Sequence, residues 1–463
     1  MPPPEVRRSL WDLVAAAGLP PGRRLSDASG SVPLAALAAG TTLADGPDAL
    51  RGRAVLISSE RQLPAALAFA ELDGIARRLV LCPPDLAPEH LAAVIADAEI
   101  DAILTDGTGP APSPLHGLEA FRMGTPVRPQ AQARDRALAT EWLLFTSGTT
   151  GRPKMVVHTL PSLTGPLEDS VGLAPDAIWC TFYDIRRYGG LQMLLRACLG
   201  GSSMVLSQAG EPVADFLARA GAAGVTHISG TPSHWRRALM SPAISALRAR
   251  YVRLSGEVAD QAVLNSLTQA FPQASVAHAF ASTEAGVAFD VRDGRAGFPA
   301  DVVGGTGAVA LRVVDGTLRI RSSRTGACYA GHPPIPLADA EGFVDTGDML
   351  ELRDGRYFFI GRREGLINVG GQKVHPEEVE AVINQHPGVR MSRVRARRSP
   401  ITGALVVADI VPADPAARPF EELSEEILAR CRAALPAHKV PAMLREAAAL
   451  EITAAGKLAR HTA

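Results

Sequence analysis

Residues 145–154 read FTSGTTGRPK, and the fold follows from deciding what kind of turn this is. Glycines, hydroxyls and a closing lysine are the ingredients of a phosphate cradle. The ATP-binding P-loop needs four residues between its glycines, then Lys and Ser or Thr at a helix start. Here two residues separate Gly148 from Gly151, Arg152 and Pro153 precede Lys154, and Met155 occupies the hydroxyl position. The flanks, EWLLF at 141–145 and MVVHT at 155–159, are short apolar runs of strand type, so the loop reads as a strand-to-strand connection. A helix dipole is then not the source of phosphate affinity. Backbone N–H groups exposed at Gly148 and Gly151, the hydroxyls of Thr146, Ser147, Thr149 and Thr150, and the Lys154 ammonium supply it instead. A plain solvent-facing turn seldom gathers so many phosphate donors.

Outward from the loop, residues 53–106 alternate strand-like runs (RAVLIS, RRLVLC, DAILTD) with helix-like ones (QLPAALAFAELDGIA, APEHLAAVIADAE). That alternation implies parallel strands joined by crossover helices. It resumes at 203–271 with SMVLS, PVADFLARAGAAG, VTHISG, VRLSG and QAVLNSLTQAF. From about 302 to 360, short strands with turn signals predict an antiparallel sheet or small barrel. A last unit of about 100 residues after GRREG is compact enough to be its own domain. The pattern therefore reads as α/β units, an antiparallel sheet or small barrel, and a C-terminal unit beginning at about residue 362.

A chain of 463 residues exceeds the size at which one core keeps growing, consistent with several units. The formal net charge of -1 gives no electrostatic case for a nucleic-acid or acidic-membrane partner. Cysteines at 82, 180, 198, 328 and 431 lack metal-ligand or redox spacing and are expected to be free thiols. No stretch reaches the roughly 18–20 uninterrupted apolar residues of a membrane span, so a cytoplasmic, soluble protein is expected.

Five stretches in one order resemble the adenylate-forming superfamily of acyl- and aryl-CoA synthetases, carrier-protein adenylation domains and luciferases. These are the glycine loop, FASTEAG (280–286), VDTGD (344–348), GRREGLINVGGQKVHPEEVE (361–380) and LEITAAGKLAR (450–460). The resemblance covers nearly the whole chain from about residue 50. It implies that a carboxylate attacks the α-phosphorus of ATP, pyrophosphate leaves, and the acyl-adenylate passes to a thiol. The fold it implies is α/β, with layered α/β subdomains and a small β-barrel-like subdomain in 1–361, and a mobile α+β C-terminal domain, 362–463, that carries the catalytic lysine.

The resemblance implies a role for each matching residue. Lys457 bridges the carboxylate and α-phosphate, Thr283 touches the α-phosphate, and Glu284 holds Mg²⁺. Thr146, Ser147, Gly148, Thr149, Thr150, Gly151 and Lys154 bind the ATP phosphates, Phe280 stacks on adenine, and Asp348 accepts from the ribose hydroxyls near Arg362. Glu364 is the hinge, and Gly370 and Gly371 line a tunnel for the pantetheine thiol of CoA. The chain departs from the family at Phe280 (usually Tyr), Ala281 (usually Gly), Glu364 (usually Asp) and Glu451 (usually Pro). None of these removes a charge that in-line attack at phosphorus requires. A separate carrier protein or an unusual nucleophile stays open in place of CoA, and a non-catalytic nucleotide-binding paralogue is the different-class reading.

FYDIRRYGG (182–190) lies where the family builds its acyl pocket. Tyr183, Asp184, Arg187, Tyr188, Gly256 and Ala281 are the pocket candidates. A charge facing the pocket would disfavour a long fatty chain, which could not pair it. The expected substrate is a small polar or aromatic carboxylic acid. RVRARR (393–398) reads either as a phosphate-binding strip or as a solvated sheet face.

Overall fold

The computed structural model describes residues 8–15, 22–110, 117–130, 138–146, 153–168, 176–305, 308–399, 403–453 and 456–459. Among these, the strands Ala54–Ser58, Arg78–Leu81, Ala102–Thr105 and Glu141–Phe145 run parallel within a nine-stranded sheet. Met155–Thr159 then pairs antiparallel with Glu141–Phe145, in a register that sets Phe145 opposite Met155. The loop 146–154 therefore joins two neighbouring antiparallel strands, as its apolar flanks predict.

The second alternating stretch forms an eight-stranded sheet, with Ile178–Thr181, His227–Gly230, Tyr251–Ser255 and Ser275–Ser282 side by side and parallel. Between the sheets lies the helix Gln62–Leu72, buried along its whole length. A helix apolar on every side has no face to show water, which is why it fills the interior rather than covering it. Its one carboxylate, Glu71, accepts hydrogen bonds from the Thr41 and Thr42 hydroxyls and the Thr42 N–H. One apolar cluster runs continuously from Leu25 and Val32 through this helix to Val55 and Ile57.

A five-stranded antiparallel sheet follows, from Phe298–Pro299 to Arg356–Arg362, around a core that includes Phe298, Leu318 and Ile320. The last unit pairs Ile367–Val369 with Gln372–Val374 and packs Pro376–Ile383 and Phe420–Ala434 onto the sheet of Val389–Ser399, Gly403–Pro412 and Met443–Glu446. Its core, from Ile367 to Leu435, is separate from the others. Cys82, Cys180, Cys198, Cys328 and Cys431 are all free thiols. No described helix is long and apolar enough to cross a membrane.

A buried ion pair ties the two large sheets together. Arg186 is 0% exposed. Its Nε lies 2.7 Å from Asp184 Oδ1, and its guanidinium also donates to the carbonyls of Ser59 and Glu60 beyond the strand Ala54–Ser58. Burial alone would raise the Asp184 carboxyl, but Arg186 outweighs it and holds the group below the usual carboxylate range. Arg186→Ala strands that carboxylate and is expected to cost about 3–5 kcal/mol in urea unfolding. A loss below about 1 kcal/mol would refute a tie between the sheets.

Candidate active site

The ends of parallel strands in the second sheet supply most of the site. After Ser275–Ser282 the chain turns sharply at Thr283 and Glu284 into Gly286–Val291, with a register shift between Phe280 and Ala281. Two side chains from the first sheet hold this turn. His158 Nε2 meets the Thr283 carbonyl at 2.7 Å, and Tyr329 donates its hydroxyl to Glu284 Oε1 at 3.1 Å. The Gly326 N–H donates to the Glu284 carbonyl at 2.9 Å. Tyr329 also lies beneath Lys154, whose ammonium is 5.2 Å from the ring centroid, a cation–π distance. Thr146 N–H closes the base of the glycine loop on the Lys154 carbonyl at 3.0 Å. Ser147, Gly148, Thr149, Thr150 and Gly151 lie outside the described residues.

His158 is 1% exposed, and burial drives its imidazole down to about 4 despite the bond to Thr283. The unfolded group titrates near 6.5. Between those values the unfolded chain binds a proton that the folded chain refuses. Stability contributed by neutral His158 is therefore complete above about pH 6.5 and falls by a few kcal/mol as pH drops toward 4. His158→Gln keeps a donor for the Thr283 carbonyl but does not titrate. In urea unfolding it is expected to lose less stability between pH 6.5 and 4.5 than the wild type, and an equal loss would contradict the assignment.

On the far side, Asp348 and Arg362 face each other because their strands pair in that register, with Asp348 Oδ1 and Arg362 Nε 3.5 Å apart. Burial raises the Asp348 carboxyl, and Arg362 opposes the shift. Arg362 also donates to the Thr346 carbonyl at 3.0 Å. Phe280 opens a row of rings, stacked 5.0 Å from Phe359 at an interplanar angle of 10°.

Lys457 arrives from the C-terminal unit. Thr453 N–H donates to the Lys457 carbonyl at 2.7 Å, closing a tight turn, and the Thr231 hydroxyl donates to the Gly456 carbonyl. Glu257 Oε1 accepts from Leu458 N–H at 2.7 Å. The lysine stem passes over Gly256, where an added methyl would stand 3.7 Å from Lys457 Cε. Burial lowers the Lys457 ammonium, opposed first by Glu257 and further by Asp348 and Glu284, while Arg362 lowers it too. The sequence-predicted Lys457, Glu284, Asp348, Arg362 and Gly256 thus share one electrostatic neighbourhood.

Tyr183 donates its hydroxyl to the Ser255 carbonyl at 2.6 Å. Tyr188 is buried with its ring 5.6 Å from that of His158, and Ala281 packs on the inter-sheet core. Asp184 is taken up by Arg186, and Arg187 grips both oxygens of Asp85 at 2.6 and 2.7 Å. Both charged pocket candidates therefore have protein partners.

Glu364 lies in the exposed turn Arg363–Gly365. Gly370 and Gly371, at φ of +59° and +85°, form the exposed two-residue turn between Ile367–Val369 and Gln372–Val374, the left-handed pair that such hairpins require. No hydrogen bond or ion pair among the described residues joins them to the Lys457 cluster. In the RVRARR strip, Arg393 and Arg395 are both bound to Asp409. His158, Tyr329 and Glu257 carry the site but had no assigned role in the sequence reading.

Comparison with known proteins bears on this arrangement. The model of the AMP-binding enzyme family matches residues 51–326, and that of the AMP-binding enzyme C-terminal domain matches 378–457. A 2-succinylbenzoate–CoA ligase of Salmonella typhimurium is 27% identical over 354 residues, 74% of this chain and 73% of the relative. ATP-bound MatB from Rhodopseudomonas palustris superposes with a TM-score of 0.79 at 20% identity, covering 97% of this chain and 96% of that one. The anthranilate CoA ligase AuaEII, crystallised with anthranoyl-AMP, gives 0.79 at 19% identity, covering 98% and 96%.

Proposed function

The chain belongs to the AMP-binding enzyme family, and on that premise we propose that it activates a compact aromatic carboxylic acid with ATP and transfers the acyl group to coenzyme A. A carboxylate oxygen attacks the α-phosphorus, and the bond to pyrophosphate breaks. The thiol sulfur then attacks the acyl carbon, and AMP leaves with the oxygen that the acid supplied.

The observation that carries this reading is the docking of the Lys457 loop on Thr231, Gly256 and Glu257, where Glu284, Asp348 and Arg362 act on its ammonium. Cations and donors around a phosphorus are the main catalytic resource, since charge builds on its oxygens as the leaving group departs. In this reading Lys457 stabilises the reacting carboxylate and α-phosphate, with Thr283 beside it. Lys154, Thr146 and the loop between them, from Ser147 through Gly148, Thr149 and Thr150 to Gly151, hold the β- and γ-phosphates. Asp348 accepts from the ribose hydroxyls, Arg362 lies alongside, and Phe280, beside Phe289 and Phe359, is the residue that meets adenine.

Mg²⁺ fits the Glu284 corner. Among the described residues no cluster of His, Cys, Asp or Glu forms a metal cage of its own, whereas Mg²⁺ is commonly held by one or two carboxylates plus substrate phosphates. Tyr329 orients one Glu284 oxygen and leaves the other without a hydrogen bond to a described residue. When bound, the ion neutralises phosphate charge.

The acid class rests on two supports. With Asp184 and Arg187 already paired, the remaining pocket candidates, Tyr183, Tyr188, Gly256 and Ala281, favour a compact ring over a long chain. Two of the similar proteins are named for ring acids, 2-succinylbenzoate and anthranilate, while another is a malonyl-CoA ligase. We further take 1–361 and 362–463 as units that rotate about Glu364 between the two half-reactions, bringing Gly370 and Gly371 to the thiol channel.

The test is pyrophosphate release across a panel of acids, followed by mass analysis of products formed with CoA and with carrier proteins. Aromatic acids are expected to be fastest and to yield acyl-CoA. Preference for saturated acids of eight or more carbons, or thioester on carrier protein alone, would overturn the reading.

A further inference from the structure

The loop bearing Lys457 is held from both sides of the lysine. Before it, the Gly456 carbonyl accepts from the Thr231 hydroxyl, and a Cβ added at Gly456 would overlap the His234 ring. After it, the Leu458 N–H donates to Glu257 Oε1 at 2.7 Å. Glu257 spends its second oxygen on the Ser233 N–H at 2.9 Å, in the first turn of the helix Pro232–Leu239. That helix is capped by the same Thr231 that reaches Gly456. One carboxylate thus bridges a fixed helix start and the backbone one residue beyond Lys457. Charge-assisted bonds of this kind are stronger than neutral ones.

We infer that Glu257 is a positioning residue, a latch that docks the Lys457 loop for acyl-adenylate formation and must release it before thioester formation. This rests on the two-step reading above and adds to it what holds the first arrangement. Glu257 touches no reacting atom; it acts through the backbone next to Lys457. Its charge also opposes the effect of burial on the Lys457 ammonium, so the latch and the protonation of the lysine it holds favour the same state.

Glu257→Gln preserves shape but replaces one acceptor oxygen by an NH₂ group, which would face an N–H donor. One arm must break. Glu257→Ala removes both. Two measurements on the full chain separate the possibilities. In hydrogen exchange without substrates, the Leu458 amide is expected to exchange tenfold or more faster in either variant. An unchanged Leu458 rate would overturn the latch. In kinetics, acid-dependent ATP–pyrophosphate exchange is expected to fall tenfold or more in Glu257→Gln, while thioester formation from supplied acyl-adenylate runs at or above the wild-type rate. That second rate doubles as a check on folding. Parallel loss of both half-reactions, or loss of neither, would also overturn it. Absence of pyrophosphate exchange in the wild type with every acid would refute the proposed function instead, and the Leu458 amide would still decide the latch.

Discussion

Lys457→Ala is expected to lower acyl-adenylate formation by about a hundredfold or more, the scale of deleting one preorganised donor at an oxyanion. The lysine stem passes over Gly256, and its ammonium is in electrostatic reach of Glu284, Asp348 and Arg362. Its role belongs to the transition state, so ATP affinity should change far less than the rate. Thioester formation from supplied acyl-adenylate should survive, because the charge on phosphorus has already been dispersed. Stopped-flow adenylate formation and equilibrium ATP binding, measured on the same variant, check both halves. A loss of ATP binding that matches the loss of rate would make Lys457 an ordinary binding residue.

Gly456→Ala should come close to that effect without touching the lysine. At φ of +73° the position is left-handed, which costs an alanine about 1–2 kcal/mol. The methyl would also overlap the His234 ring. That ring cannot step aside cheaply, because it stacks on Phe182 at 5.4 Å and completes the capping box at Thr231. The loop must therefore lift, and a displacement of about 1 Å at a reacting group can cost a hundredfold. Adenylate formation is expected to fall at least tenfold with the unfolding midpoint little changed, since the turn lies outside every core cluster. A rate within twofold of wild type would mean that the loop does not dock on His234 during the reaction.

The sequence revealed the strand-to-strand nature of the phosphate loop, because EWLLF and MVVHT carry strand patterning on both sides of it. The alternating α/β layers were legible for the same local reason, and the adenylate-forming resemblance rested on five motifs. Partner choice was not legible. Asp184, Arg186 and Arg187 announce charge but not where it goes, and the answers were Ser59, Glu60 and Asp85. His158 reaches Thr283 across 125 residues, and Glu257 reaches Leu458 across 201. Such contacts depend on how strand ends line up in space, and no local pattern encodes that. Tyr329 escaped notice because its two-residue strand, Cys328–Tyr329, gives too short a run to show alternation.

The central claim is that an oxygen of the acid becomes bonded to the α-phosphorus of ATP. Turnover of an aromatic acid labelled with ¹⁸O in its carboxylate, with ATP and CoA, tests this directly by mass analysis of the nucleotide. Attack at the α-phosphorus followed by thiol transfer predicts AMP carrying one ¹⁸O for each acyl-CoA formed, with none in pyrophosphate. Label in inorganic phosphate with ADP as the nucleotide product, or unlabelled AMP, would contradict it.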